Sequence, residues 1–159
     1  MFSENFNNKK IIVTGHTGFK GSWLSAWLTK LGADVTGIGL NPQTQPSHFE
    51  VANLTTSTND LRIDIRNRLE LEEAINNIQP DFVFHLAAQP LVRRSYDDPI
   101  ETWETNVLGS LHILEALRKL DKHCSVVMIT SDKCYDNVEW VWGYRESDPM
   151  GGPDPYSAS

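Results

Sequence analysis

Lys10-Ile11-Ile12-Val13-Thr14-Gly15-His16-Thr17-Gly18-Phe19-Lys20-Gly21 passes from a β-branched run into a glycine loop and then into a helical pattern. The apolar run reads as a buried strand. In such a loop the first glycine permits a tight turn. The second lets backbone approach an anion, and the third lets helix and strand pack closely. Free N–H groups and the macrodipole at the helix start then favour negative charge. The spacing is GxxGxxG rather than GxGxxG. Its place between a strand and a helix is what makes it a phosphate cradle.

The rest of the chain repeats this alternation. A helix is expected from Gly21 to Leu31, with Trp23, Leu24, Trp27, Leu28 and Leu31 at helical spacing and Gly32 just past its end. Val35 to Leu40 reads as a second strand, in which Gly37 and Gly39 either weaken pairing or mark close backbone approach. Residues 41–60 are polar and read as a long surface connection with one helical turn around Phe49 to Leu54. Leu61 to Ile65 is expected as a third strand. Asn67 and Glu70 form a capping box for a helix that buries Leu71, Ile75 and Ile78 and stops at Pro80. Phe82 to Leu86 is a fourth strand. Asp98-Pro99 opens the longest helix, to about Leu120, with Ile100, Trp103, Val107, Leu111, Leu114 and Leu117 on one stripe. Val126 to Thr130 is a fifth strand, and Tyr135 to Pro155 shows no period. Five strands joined by crossovers mean an α/β fold with a doubly wound parallel sheet of the Rossmann type, helices covering both faces.

Composition agrees. The 159 residues suit one domain, and 40% hydrophobic with 22% charged residues excludes a disordered chain, collagen and a coiled coil. No apolar run approaches the ~18 residues of a membrane span. Met1 to Lys10 is polar and shows no signal peptide. A net charge of −7 with scattered basic residues argues against nucleic acid. Cys124 and Cys134 are too few for a disulfide framework and lack metal-ligand spacing, so no metal site is expected. A reducing cytoplasm is the default.

The end of the second strand departs from the dinucleotide fingerprint. An acidic residue is expected there for the adenosine ribose. The sequence has Gly39-Leu40-Asn41, and Asp34 comes too early, at the head of the strand. No arginine stands there for a 2′-phosphate, so this position leaves NAD and NADP open. Asn41 could bond a ribose hydroxyl, and Lys20 could meet a phosphate or solvent. His85, in a buried strand, reads as a core histidine.

The glycine loop, His85-Leu86-Ala87-Ala88-Gln89 and Thr105-Asn106-Val107-x-Gly109 resemble extended short-chain dehydrogenases/reductases acting on nucleotide sugars. Thr130-Ser131-Asp132-Lys133 and Tyr156 add that family's active-site pattern. Gly15 through Trp23, Ser131-Asp132-Lys133-Cys134-Tyr135 and Glu139 through Glu146 narrow the resemblance to the CDP-glucose 4,6-dehydratases. The resemblance implies a cytoplasmic homodimer using NAD on a nucleotide sugar, CDP-glucose, in a pathway to dideoxysugars of O-antigen lipopolysaccharide. It implies that residues 1–159 are an incomplete NAD-binding domain lacking a sugar-nucleotide domain. Tyr156-Ser157-Ala158-Ser159 reads as the start of a helix, one residue short of the family's YxxxK lysine. The chain alone is therefore expected to be inactive.

By the same resemblance Gly15, His16, Thr17, Gly18, Phe19, Lys20 and Gly21 hold the cofactor, with Asn41, Asp64, Ile65, Leu86, Ala87, Ala88, Gln89, Asn106 and Thr130. Arg94 and Ser95 lie on the substrate side. Tyr156 is the base for the sugar C4 hydroxyl and Ser131 bonds the same hydroxyl. A tyrosine's ordinary pKa near 10 must be lowered by positive charge for this. Asp132 is the acid for the C6 hydroxyl and Lys133 the base at C5. Related dTDP-glucose dehydratases carry Asp-Glu at this pair. The free face of the 99–120 helix would build the dimer contact. Two readings compete: a nucleotide-sugar epimerase, which needs no acid/base pair for water loss, and a non-catalytic dinucleotide-binding module.

Overall fold

The computed structural model describes residues 2–159; Met1, where the polar N-terminal stretch begins, lies outside them. In chain order the elements are α1 (Phe2–Phe6), β1 (Lys10–Thr14), α2 (Phe19–Lys30), β2 (Asp34–Ile38), α3 (His48–Val51) and β3 (Asn59–Leu61). Then follow α4 (Arg68–Ile78), β4 (Phe82–His85), α5 (Val92–Asp97), α6 (Pro99–Trp103), α7 (Ser110–Arg118) and β5 (Ser125–Met128). The sheet is parallel throughout, in the order β3-β2-β1-β4-β5. The strand order reverses between β1 and β4, and such a sheet binds ligands in the crevice outside the carboxyl ends at that point.

The unbroken apolar run of β1 is explained by burial on both faces. Ile12 joins Ile38, Leu71, Ile75, Val83 and Ile113 under α4 and α7. Ile11 and Val13 face the other way, against Leu28 and Val35 under α2. Asn67 caps α4 as its sequence predicts: its carbonyl oxygen accepts from Glu70 N while its amide donates to the Glu70 carboxylate. Among the described residues no helix is long and apolar enough to cross a membrane.

Several elements differ from the periodicity reading. α2 turns Gly21, Ser22, Ser25 and Leu28 inward and leaves Trp23 and Trp27 each 55% exposed. Close approach of this helix to the glycine loop requires small residues, and the buried serines satisfy their hydroxyls on helix carbonyls at Phe19 and Gly21. The third strand lies earlier than expected, at Asn59–Leu61, because Asp64 and Ile65 have already left the sheet. The long helix is interrupted by a π segment, Glu104–Gly109, and buries Thr102, Gly109, Ile113 and Ala116. Its apolar stripe faces outward, with Ile100, Trp103, Leu108, Leu111 and Leu114 exposed. Small residues again allow close packing: a Cβ on Gly109 would lie 2.6 Å from Ile65 Cδ1. α5 has no apolar stripe and escaped the pattern reading. Tyr156 to Ser159 forms a turn, with Ala158 N donating to Asp154 O, rather than the expected helix.

Candidate dinucleotide and active site

The loop after β1 is held on three sides. Gly15 has φ +70, and a Cβ there would lie 2.9 Å from Ala87 N, so β1 and β4 nearly touch beneath the crevice. Gly15 N donates to Ile38 O, and Gly18 N donates back to Gly15 O. A Cβ on Gly21 would lie 2.1 Å from Gly15 O, whereas at Gly18 it would meet only that oxygen, at 3.2 Å. Gly15 and Gly21 thus serve packing, and Gly18 leaves space on the exposed side. No side chain caps the N-terminus of α2. These features fit a pyrophosphate: a glycine cradle that a Cβ would fill and a helix start whose N–H groups await an acceptor.

Thr14 and His85 fasten the two strands below the crevice. Thr14 Oγ1 accepts from Leu86 N and Ala87 N, so its own proton goes to His85 Nδ1 at 2.7 Å. His85 is then the Nε2–H tautomer, donating to Ser110 Oγ at 3.0 Å. Burial pushes its pKa down to about 4. The folded state refuses a proton that the unfolded chain accepts below its ordinary value near 6.5. Stability is therefore expected to fall as the pH drops from about 6.5 towards 4, by ~1.4 kcal/mol per unit and ~3 kcal/mol in all. The drop in urea midpoint from pH 7 to pH 5 should be smaller in His85→Asn than in the parent. An unchanged pH slope in that variant would remove His85 as the cause.

His16 does not reach into the crevice. Its side chain is fully buried, donates from Nε2 to Asp60 Oδ1 at 2.8 Å and packs edge-on against Phe49. The glycines of the second strand make room for it: a Cβ on Gly37 would lie 2.2 Å from the imidazole carbons. Burial lowers the His16 pKa and Asp60 opposes that shift. Its Nδ1 is buried without a partner. Thr17 Oγ1 donates to Leu40 O, tying the loop to the end of β2. Phe19, Lys20 and Asn41 are exposed.

The remaining expected cofactor residues divide. Ala87 and Ala88 follow β4: Ala87 N donates to Thr14 Oγ1, and Ala88 is exposed. Gln89 is buried, its amide bonded to Leu91 and Thr102. Asn106, within the π segment, accepts from Gln89 N and donates to Gln89 O and to Ser159 Oγ. Asp64 is clasped by Arg66, which holds its carboxyl below the usual carboxylate range. Ile65 is core, 4% exposed. Neither expected substrate residue presents a free side chain. Ser95 is fully buried and donates to Val92 O, and Arg94 makes a two-point pair with Glu101.

Beyond β5, Ser131 caps a short 3-10 turn, Asp132–Cys134, by accepting from Lys133 N. Its hydroxyl donates to Asp132 Oδ1 at 3.2 Å. Asp132, Lys133 and Thr130 are exposed at the carboxyl edge of the sheet. The segment leading to Tyr156 is stitched back to this turn. Gly151 N donates to Cys134 O, and Tyr135 bridges Met150. Ser159 Oγ donates to Tyr156 O while accepting from Asn106, so the tyrosine turn is anchored to the π segment. Asp154 caps that turn through Tyr156 N and Ser157 N.

One residue at this end of the sheet was missed. Arg62, just beyond β3, donates to Leu40 O at 2.9 Å and to Asp60 Oδ2 at 2.6 Å, with its guanidinium over the Phe49 ring. It therefore stands where the sequence shows no arginine after the second strand. Only the pairing of β2 with β3 brings it there.

A family model described as GDP-mannose 4,6 dehydratase matches residues 12–159. The chain belongs to this family. Within the GDP-mannose 4,6 dehydratase family and its relatives, the chain is 55% identical over its whole length to a CDP-glucose 4,6-dehydratase of Salmonella typhimurium, covering 45% of that protein. The fold matches a Thermotoga maritima UDP-glucose 4-epimerase solved with UDP-glucose. There the TM-score is 0.80 at 27% identity, over 93% of this chain and 46% of that one. A Thermus thermophilus UDP-glucose 4-epimerase in complex with NAD gives 0.76 at 30%, over 93% and 46%. The chain thus spans about half the length of the relatives it matches.

Proposed function

We propose that residues 1–159 form the NAD-binding domain of a cytoplasmic nucleotide-sugar 4,6-dehydratase that converts CDP-glucose to CDP-4-dehydro-6-deoxyglucose. The observation that carries this reading is the pairing of a dinucleotide cradle with Ser131-Asp132-Lys133 at the carboxyl edge of the same sheet. The 55% identity to a CDP-glucose 4,6-dehydratase supports it. Bound NAD would accept a hydride from sugar C4 and return it to C6.

The chain's own residues supply the proton steps. Tyr156 takes the C4 hydroxyl proton as the C4–H leaves, and the Ser131 hydroxyl orients that oxygen. Once C4 is a ketone, the C5 hydrogen is acidic. Lys133 takes it while Asp132 gives a proton to the departing C6 hydroxyl, so water leaves across C5 and C6. Incubating the full-length protein with CDP-glucose and NAD should give a 4-keto product lighter by one water, seen by mass spectrometry. Recovery of unchanged mass with inverted C4 would establish the epimerase reading. No sugar turnover, with NAD still bound, would leave only a binding module. The product's use in dideoxysugars of O-antigen lipopolysaccharide belongs to the same proposal.

The protein acts as a homodimer through the outward stripe of α6, the π segment and α7. Pro99, Ile100, Trp103, Glu104, Val107 and Leu108 line an open apolar depression of about 400 Å³ on this face. An exposed apolar patch of this kind marks an association surface. Leu111→Glu is expected to convert the full-length dimer to monomer in sedimentation. A variant that sediments as the parent would exclude this face.

A further inference from the structure

We propose that His16 is a positioning residue: through Asp60 it fixes the glycine loop in the form that receives a dinucleotide, and it touches no ligand itself. This rests on the dinucleotide reading above. A glycine-rich loop loses much conformational freedom when it closes on an anion, so affinity depends on how firmly the free loop is already held.

His16 and Thr17 carry the only side chains between the first two glycines of the motif. Both are engaged by the second and third strands. His16 Nε2 donates to Asp60 Oδ1 on β3 at 2.8 Å, and Thr17 Oγ1 donates to Leu40 O beyond β2 at 2.9 Å. Arg62 joins the two, with Nη1 on the same Leu40 oxygen and Nη2 on the second Asp60 oxygen. The hydrogen bonds thus run from His16 through Asp60, Arg62 and Leu40 to Thr17, and the circuit closes through the 16–17 peptide. Arg62 is the countercharge of Asp60, so the pair needs no imidazolium, and burial lowers the His16 pKa. A neutral imidazole has one N–H. Here it points at Asp60 and leaves the Nδ1 lone pair buried without a partner. The ring cannot swing towards the crevice without giving up its bond to a carboxylate and emptying the slot between Gly37 and Phe49. Gly15 N, on Ile38 O, pins the residue before it. Three successive residues are therefore tied to the strands beside β1, and the exposed Gly18 follows them.

The test is calorimetric titration of the full-length protein with NAD, beside amide hydrogen exchange of residues 15–21 without ligand. His16→Leu keeps an apolar body in the slot and removes the donor. It should weaken NAD by ~10-fold or more and speed exchange in the loop. His16→Gln places an amide N–H near the position of Nε2 and should restore NAD affinity to within ~3-fold of the parent, with slow exchange. Asp60→Ala should match His16→Leu, and the double variant should be no weaker than either alone, because both remove one bond. A folded His16→Leu variant that binds NAD like the parent overturns the proposal. So does a His16→Gln variant as weak as His16→Leu, which would mean that the imidazole itself meets the ligand or only packs. Losses that multiply in the double variant overturn it too. Where His16→Leu fails to fold, Asp60→Ala decides alone, and unchanged NAD affinity there counts against the proposal. If the parent binds no NAD, the dinucleotide reading itself falls and this proposal with it.

Discussion

Gly18→Val in the full-length protein should remain folded and lose dinucleotide affinity, while Gly21→Ala should damage the fold itself. The two glycines are three residues apart in one motif, yet their surroundings differ. Gly18 has φ −73, which any residue adopts, and a Cβ there meets only Gly15 O at 3.2 Å. A valine fits after a shift of a few tenths of an ångström, and its methyls then stand over the uncapped start of α2. Hydrogen bonds to a charged group are each worth ~1.5–3 kcal/mol. Displacing the pyrophosphate from one or two N–H groups should therefore cost ~100-fold or more in NAD affinity by calorimetry. At Gly21 the added Cβ would lie 2.1 Å from Gly15 O and 2.7 Å from Gly15 C. Both are backbone atoms that cannot rotate away, so α2 must lift from the loop. Overpacking costs typically ~1–3 kcal/mol, and this contact should reach the top of that range, lowering the melting temperature. A folded Gly18→Val variant that binds NAD like the parent would remove the loop from the cofactor site. A Gly21→Ala variant with parental melting would show that the helix seats differently.

The same loop shows how far the sequence is legible. β1 and its loop could be read because burial on both faces demands an unbroken apolar run and the turn demands glycine. The α4 start could be read because Asn67 and Glu70 satisfy each other locally. The helix faces could not be read from periodicity. In α2 the tryptophans at 23 and 27 mark the outside, because the inside must be small to let the helix approach Gly15. In α6 and α7 the apolar stripe also faces outward, and Thr102, Gly109 and Ala116 take the packed side. Hydrophobic spacing identifies a helix, but it does not say whether its stripe packs on the sheet or lies on the outer face.

The candidate site divides along the same line. The close backbone approach at Gly15 and Ala87, and the space beside Gly18, follow from residue type and order in the sequence. Side chains that depend on a partner from another strand were not. His16 turns inward because Gly37 leaves it a slot and Asp60, on β3, accepts its proton. Ser95 is buried by α5, a helix without a pattern to announce it. Arg62 is far from the second strand in sequence and adjacent to it in space. The Asn106 bridge to Ser159 was likewise invisible, because the two residues lie on segments far apart in the chain.

Asp132→Asn in the full-length enzyme is expected to slow water loss by ~10²–10⁴-fold, the usual contribution of a general acid, while sparing hydride removal from C4. In the proposed reaction the two half-reactions draw on different residues. Oxidation at C4 would need Tyr156, on the turn anchored by Ser159 to Asn106. Elimination would need a transferable proton at C6, which Asp132 would supply from the 3-10 turn beyond β5. Asparagine keeps the size of the side chain and can still accept from the Ser131 hydroxyl, so the turn capped by Ser131 should persist. It has no acidic proton to give. The variant should therefore accumulate reduced cofactor and a 4-keto sugar that retains its C6 hydroxyl, visible in a single turnover as a lasting rise in reduced-nicotinamide absorbance. In the parent that rise should be transient, because water loss opens C6 to the returning hydride. Equal slowing of absorbance rise and water loss would mean that Asp132 serves both steps and is no dedicated acid. Full dehydration in the variant would make Asp132 a bystander and pass the role to another donor. Tyr156→Phe supplies the contrast: it removes the C4 base, so no reduced cofactor should appear at all.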